Sequence, residues 1–184
     1  MSNYGYFSEN PQTEWISDTD NPDRNMQLLR DFSYTDPDGK VWIASSGDKI
    51  NGASIPRTLW STVGSPYTDN YRNASIIHDI AVEKGDRKAA DKMFYYACLA
   101  GGCSKSQSRL LYLGVRLGTW GSKKKGFWKK LKSSNVLFRS KLQPRIKEEI
   151  ELLEKFESIS EKLNAMEDSD IFEKMEALLD AEIK

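Results

Sequence analysis

NASIIHDIAVEKGDRKAADKMF, residues 73–94, holds the only histidine of a 184-residue chain. Apolar residues recur at Ile76, Ile77, Ile80 and Ala81, the spacing of one helix face. Gly85 follows, and glycine suits the left-handed position that ends a helix. Beyond it Ala90, Phe94 and Ala97 open a second apolar face. The stretch predicts a helical hairpin, with one helix over about 71–84 and another over about 87–100. After a stop at Gly101-Gly102, a third helix is expected over about 104–117, carrying Leu110, Leu111, Leu113, Val115 and Leu117.

The hairpin decides which polar residues meet. His78 lies six residues before Lys84, and Asp91 six after Gly85. In an antiparallel pair such positions share one height, and neighbouring helix axes run ~8–10 Å apart. An imidazole and a carboxylate can span that gap. A carboxylate on one ring nitrogen fixes the tautomer and leaves the other nitrogen to act as a general base. Asp79 points about 100° away and is available to hold a hard cation. Two readings stay open: a catalytic pair, or a polar contact that orients the hairpin with Asp79 as a solvent-facing charge.

Upstream, residues 26–48 predict a β-hairpin. Leu28, Phe32 and Tyr34 fall on one side of one strand, and Val41 and Ile43 on one side of the next. Asp36-Pro37-Asp38-Gly39 between them is turn chemistry. The loop Asn51-Gly52-Ala53-Ser54-Ile55-Pro56-Arg57 follows. Its small residues permit close backbone approach to a ligand, so Asn51, Ser54 and Arg57 are candidate substrate-binding residues. Ser54 is either a nucleophile beside His78 or, the plainer reading, a helix N-cap with Pro56 just inside the helix. Arg57 would clamp an anion or pair with Asp79 or Asp91. Ile55, Leu59, Trp60 and Val63 then make a short apolar helical face.

The remaining chain divides by composition. Residues 1–25 are rich in Asn, Asp, Ser and Pro and read as an irregular arm, with Tyr4, Tyr6, Phe7 and Trp15 as anchors. Residues 26–120 form the expected globular domain, 121–144 a basic linker and 145–184 an amphipathic helical tail. Net charge is zero but split: Lys105 to Lys147 holds thirteen basic residues and no acidic one, while Glu148 to Lys184 holds thirteen acidic against four basic. Lys123, Lys124 and Lys125, with Phe127 and Trp128 nearby, suit an anionic surface, lipid or nucleic acid, across residues 123–132. The plainer reading is a solvated loop that neutralises the acidic tail. Leu152, Phe156, Ile159, Leu163 and Met166 repeat at gaps of 4, 3, 4 and 3, a heptad stripe. Ile171, Met175 and Leu178 start another. The tail is expected outside the main fold, docked on a partner or a sister chain. The fold class is therefore α+β and mainly helical: a small β-hairpin, a three-helix core and a C-terminal amphipathic helical extension.

Hydrophobic residues make up 39% and charged residues 29%, and no run approaches the ~18 apolar residues of a membrane span. The N-terminus lacks the basic start and apolar stretch of a secretory signal, so synthesis and folding in a reducing cytosol are expected. One histidine and two cysteines do not assemble a structural zinc site. Cys98 is expected in the core, with no disulfide to Cys103.

Residues 28–118 resemble an uncharacterised domain family of bacteriophages and prophages. The resemblance rests on the hairpin, on Gly52-Ala53-Ser54-Ile55-Pro56-Arg57, Leu59-Trp60 and Gly64-Ser65-Pro66, on His78-Asp79, and on Ala90-Asp91 with Phe94 three further on. The family carries Asp where this chain has Asn51, so a charge is missing from the motif. A fainter resemblance is to calcium-dependent phospholipases, which place a His-Asp pair on one helix and an Ala-Asp-x-x-Phe run on its antiparallel neighbour. It implies His78 as base, Asp91 as its orienter and Asp79 as a Ca2+ ligand, although a glycine-rich calcium loop is not clearly present.

Two functions are expected to compete. The first is a virion or tail-associated component of a phage, made in the host bacterial cytoplasm. It would bind other phage proteins or itself through the C-terminal helices and the N-terminal arm. The second is a hydrolase acting on lipid esters or cell-wall material through the His-Asp site, with or without a divalent cation.

Overall fold

A computed structural model describes residues 3–16, 25–65, 67–123, 146–167 and 172–183, with side chains of 122 and 123 excepted. The fold is α+β and mainly helical, as expected. It divides into two compact units, residues 1–53 with 66–108, and residues 54–65 with 109–184. The division does not follow the expected boundaries of a 26–120 domain and a 145–184 tail.

The first unit begins with strands where an irregular arm was expected. β1 (Tyr6–Phe7) pairs with β4 (Phe32–Thr35), and β2 (Thr13–Trp15) with β3 (Met26–Leu28). Phe7 explains the first pairing, because its ring stacks on Phe32 at 5.6 Å and tilts against Tyr34 at 5.1 Å. Gly5 (φ +86) permits the approach: a Cβ there would lie 2.1 Å from the Thr35 carbonyl oxygen. Of the other expected anchors, Tyr6 and Trp15 are exposed, Trp15 lying edge-on to Tyr67. Two antiparallel three-stranded sheets result. β1, β4 and β5 (Val41–Ala44) make one, and β2, β3 and β6 (Lys49–Ile50) the other.

The β4–β5 hairpin forms around the expected turn. Asp36 Oδ1 accepts from the Asp38 and Lys40 amides, and Oδ2 from Trp42 Nε1. Two details differ from the sequence reading. Leu28 is buried like Phe32 and Tyr34, but it belongs to the other sheet. Val41 and Ile43 face outward, 52% and 50% exposed. The register is the reason: Phe32 opposes Ala44 and Tyr34 opposes Trp42, and directly opposed residues share a face. That leaves Val41 and Ile43 with Thr35 and Ser33 on the other side.

The helical hairpin matches its prediction closely. α2 (Arg72–Glu83) buries Ile76, Ile77, Ile80 and Ala81, and α3 (Arg87–Ala100) buries Ala90, Phe94 and Ala97. Gly85 between them has φ +141, and Asp86 caps α3 by accepting from the Ala89 amide. The α2 helix also packs on β4, β5 and β6.

The second unit contains a 3-10 turn (Arg57–Leu59), α1 (Trp60–Val63), α4 (Lys105–Lys123) from Arg109 onward, α5 (Lys147–Asn164) and α6 (Phe172–Glu182). α4 runs one and a half turns further than predicted. Gly114 and Gly118 let the 54–56 segment lie against it; a Cβ on Gly118 would come within 2.2 Å of the Ser54 carbonyl oxygen. The tail helices are not outside the fold. Leu152, Phe156, Ile159 and Leu163 are all buried, and Arg109 donates to the carbonyls of Met166 (2.8 Å) and Glu167 (2.5 Å) just beyond α5. Tyr112 meets Phe172 at 5.3 Å, and Arg116 donates to Asp180 at 2.6 Å. On α6 the buried residues are Phe172, Met175 and Leu179, so Leu179 takes the place expected for Leu178, while Ile171 lies outside the described residues.

Candidate active site

The first unit brings His78, Asp79, Asp91 and Asn51 together around the α2–α3 hairpin. His78 Nε2 lies 2.8 Å from Asp91 Oδ1, and both side chains are buried, 0% and 1% exposed. The matched heights read from the sequence account for the contact. An ionised carboxylate can only accept, so Nε2 faces Asp91 as the donor, and in the neutral imidazole Nδ1 is then the acceptor. Nδ1 is buried and has no hydrogen-bond partner among the described residues. One turn earlier, Ser75 Oγ is also buried without a hydrogen-bond partner among the described residues, a feature that the apolar spacing of α2 gave no reason to expect.

Phe94 completes the setting. Its ring tilts against the imidazole at 4.8 Å between centroids. Asp91 and Phe94 stand three apart on α3 and so share a face. That spacing was visible in the sequence, where Phe94 read only as core.

Asp79 has a different task from the one expected. It is 6% exposed, not a solvent-facing charge. Its Oδ2 accepts from the Asn51 amide at 2.6 Å and, more weakly, from the Gly52 amide at 3.3 Å. Burial pushes its carboxyl up to about 6, while the Asn51 amide and the neighbouring imidazole restrain the rise. Asn51 thus contributes its backbone, and its side chain is exposed. Gly52 (φ +90) supplies the turn that aims both amides at one oxygen.

This arrangement does not fit the Ca2+ ion implied by the phospholipase resemblance. The backbone groups facing Asp79 Oδ2 are N–H donors, and a cation needs oxygen acceptors. Among the described residues no group of three or more His, Cys, Asp or Glu side chains could hold a metal.

The other expected site residues fall elsewhere. Ser54 and Arg57 belong to the second unit. Ser54 is not an N-cap: Pro56 holds that position before the 3-10 turn, with no side-chain cap bond. The reason is the extended backbone of Pro56 (φ −55, ψ 132), which places the N-cap two residues later than expected. The Arg57 guanidinium lies over the Trp60 ring at 5.5 Å. Leu152, Phe156, Ile159 and Leu163, read as a partner surface, are covered within their own unit, and Met166 is half-buried. Lys124, Lys125 and Trp128 lie outside the described residues, as does the Lys123 side chain.

Comparison with known proteins places this site within a recognised domain. Residues 26–115 match the family described as Protein of unknown function (DUF1353). The matched span contains β3 to β6, α2 and α3 whole, and so every member of the His78 cluster. Uncharacterized protein y4jT of Sinorhizobium fredii is 39% identical over 114 residues, which are 61% of this chain and 33% of that protein. Uncharacterized protein y4iH of the same organism is 38% identical over 96 residues, 50% of this chain and 40% of that protein. The chain thus spans well under half the length of these curated relatives. No solved structure matches it.

Proposed function

We propose that the first unit is a metal-independent hydrolase, with His78 as general base and Asp91 as its positioning partner. One observation carries the reading: Nε2 is tied to a buried carboxylate while Nδ1 is buried with no hydrogen-bond partner among the described residues. A buried acceptor left unpaired costs about 1–3 kcal/mol, so Nδ1 calls for a partner such as an enclosed water or a substrate group. Nδ1 would take a proton from a water attacking an ester carbonyl, Asp91 would stabilise the imidazolium as it forms, and the imidazolium would return that proton to the leaving alcohol oxygen as the ester C–O bond breaks. The ring is fully enclosed, so this reading requires an opening that admits water and substrate. Asp79, next to His78 in the chain, ties the Asn51 and Gly52 amides, and release of that loop is the proposed opening. An ester of a lipid is the favoured substrate, through the phospholipase resemblance.

The test is hydrolysis of short-chain esters and of phospholipid vesicles by the purified chain, with calcium and with a chelator. Turnover should persist in chelator. It should fall on the order of 10²–10⁴-fold in His78→Gln and Asp91→Asn with unchanged circular dichroism. No turnover by the parent chain under either condition sinks the reading.

A second reading, a phage assembly component, is favoured by Tyr6, Val41 and Ile43. These large apolar side chains are all at least half exposed on the β1-β4-β5 sheet. It would move the partner surface from the tail stripe to this sheet. Finding the chain in purified particles, alongside an inactive His78 pair, would favour it.

A further inference from the structure

The two cysteines lie outside the His78 cluster, and the cap of α3 brings them together. The Cys103 amide donates to the Cys98 carbonyl at 3.0 Å, and the Gly102 amide to the Leu99 carbonyl at 3.1 Å. Gly102 has φ +99. These are the two bonds and the left-handed glycine of a Schellman motif, which sets the side chain two residues past the helix against one in its last turn. Here those two side chains are Cys103 and Cys98. The cap sets these two side chains against each other, and both thiols are free and buried.

The cap bond limits the Cα separation to about the range a disulfide needs. With ordinary bond lengths, one N–H···O bond of 3.0 Å holds the two Cα atoms to a separation of at most about 6.9 Å. Disulfides span roughly 4.4–6.8 Å. The cap is itself held from outside the helix, because Asn70 Nδ2 donates to the Gly102 carbonyl at 3.1 Å. A Cβ on Gly101 would lie 2.2 Å from the Asn70 carbonyl oxygen, so the close approach requires glycine there.

We propose that Cys98 and Cys103 are a dithiol that closes reversibly to an intrachain disulfide, a modification site built by the α3 cap. The pair is asymmetric in the way such closure uses. The hydrogen bond from Cys98 holds the Cys103 thiol below its ordinary value, and burial pushes Cys98 well up. Cys103 also reaches solvent slightly, at 6% exposure, and Cys98 not at all. Cys103 is therefore the attacking thiolate. It displaces one thiolate from a small disulfide such as oxidised glutathione, forming a mixed disulfide. Cys98 then loses its proton and attacks the Cys103 sulfur, expelling the second thiolate. Two electrons and two protons leave the protein, and the small disulfide ends as two thiols. In a reducing compartment the dithiol is the resting state, and closure reports an oxidising shift.

The experiment equilibrates the full chain in a series of reduced and oxidised glutathione mixtures, quenches with acid and measures intact mass. The expected product is lighter by two hydrogens, carries no glutathione, loses both labelled thiols together and yields a peptide linking Cys98 to Cys103. Cys98→Ser should instead accumulate glutathione on Cys103, and Cys103→Ser should stay reduced. A parent chain that holds glutathione without closing, or that keeps both thiols in the most oxidising mixture, overturns the proposal. The parent chain's own mass decides the matter even where a serine variant does not fold.

Discussion

The α2–α3 hairpin and the α5 helix bury their surfaces in opposite ways. α5 buries a stripe of Leu152, Phe156, Ile159 and Leu163, and carries pairs such as Lys162 with Glu182 on its exposed side. Glu149 is the one ionisable residue buried on this helix, in the first turn where the helix dipole favours an anion. The hairpin buries His78, Asp79 and Asp91 among its apolar residues. Apolar burial stabilises by about 25 cal/mol per Å² and needs no further explanation. Buried ionisable groups oppose folding unless each is satisfied, and Nδ1 of His78 has no partner among the described residues. The difference separates a helix whose residues are accounted for by packing from one whose residues are not. It also turns the tail stripe, read from sequence as a docking surface, into the interior of a unit.

Three measurements would break or sharpen this contrast. The largest effect is expected for Leu163→Ala, which removes a fully buried side chain. The loss should be about 2–5 kcal/mol, with faster hydrogen exchange in α5 and α6. An unchanged midpoint in urea would return the stripe to the status of a free surface.

Next comes Asp91→Ala, which strands the buried imidazole and should cost on the order of 3 kcal/mol in the same assay. Asp91→Asn keeps an acceptor and should cost less than half as much. Equal losses in the two variants would show that packing, not the hydrogen bond, is what Asp91 provides.

The smallest effect concerns Asp79. Its folded value of about 6 lies above the ordinary 3.8, so folding favours the protonated form. Its contribution is fully present below 3.8, declines as pH rises to about 6, and is flat above. Asp79→Asn should abolish that slope. At pH 7 it should stabilise the chain by about 1–2 kcal/mol, less than the full shift because an amide oxygen is the weaker acceptor for Asn51 and Gly52. A variant less stable than the parent at pH 7 would mean that the charge itself holds the loop.

Much of the site was legible because helices are local. The turn at Gly85 and the equal offsets of His78 and Asp91 follow from helix geometry alone, and the contact at 2.8 Å rests on them. The cysteine pair was within reach of the same reasoning, since a Gly-Gly stop two residues before Cys103 is a cap signal. Asp79 was not legible in this way. Its partners lie 27 and 28 residues earlier in sequence, in a loop whose backbone amides carry no side-chain signature.

By itself the sequence determined the mainly helical α+β class, the α2–α3 hairpin, the DPDG turn and the meeting of His78 with Asp91. Each depends on periodicities and caps that act within about a dozen residues. Only the tertiary structure decided the strands of the N-terminal arm, the outward face of Val41 and Ile43, the covering of the tail stripe and the loop bonds of Asp79. Those depend on which distant surfaces meet. An apolar stripe or a backbone amide reads the same in sequence whichever surface it finds.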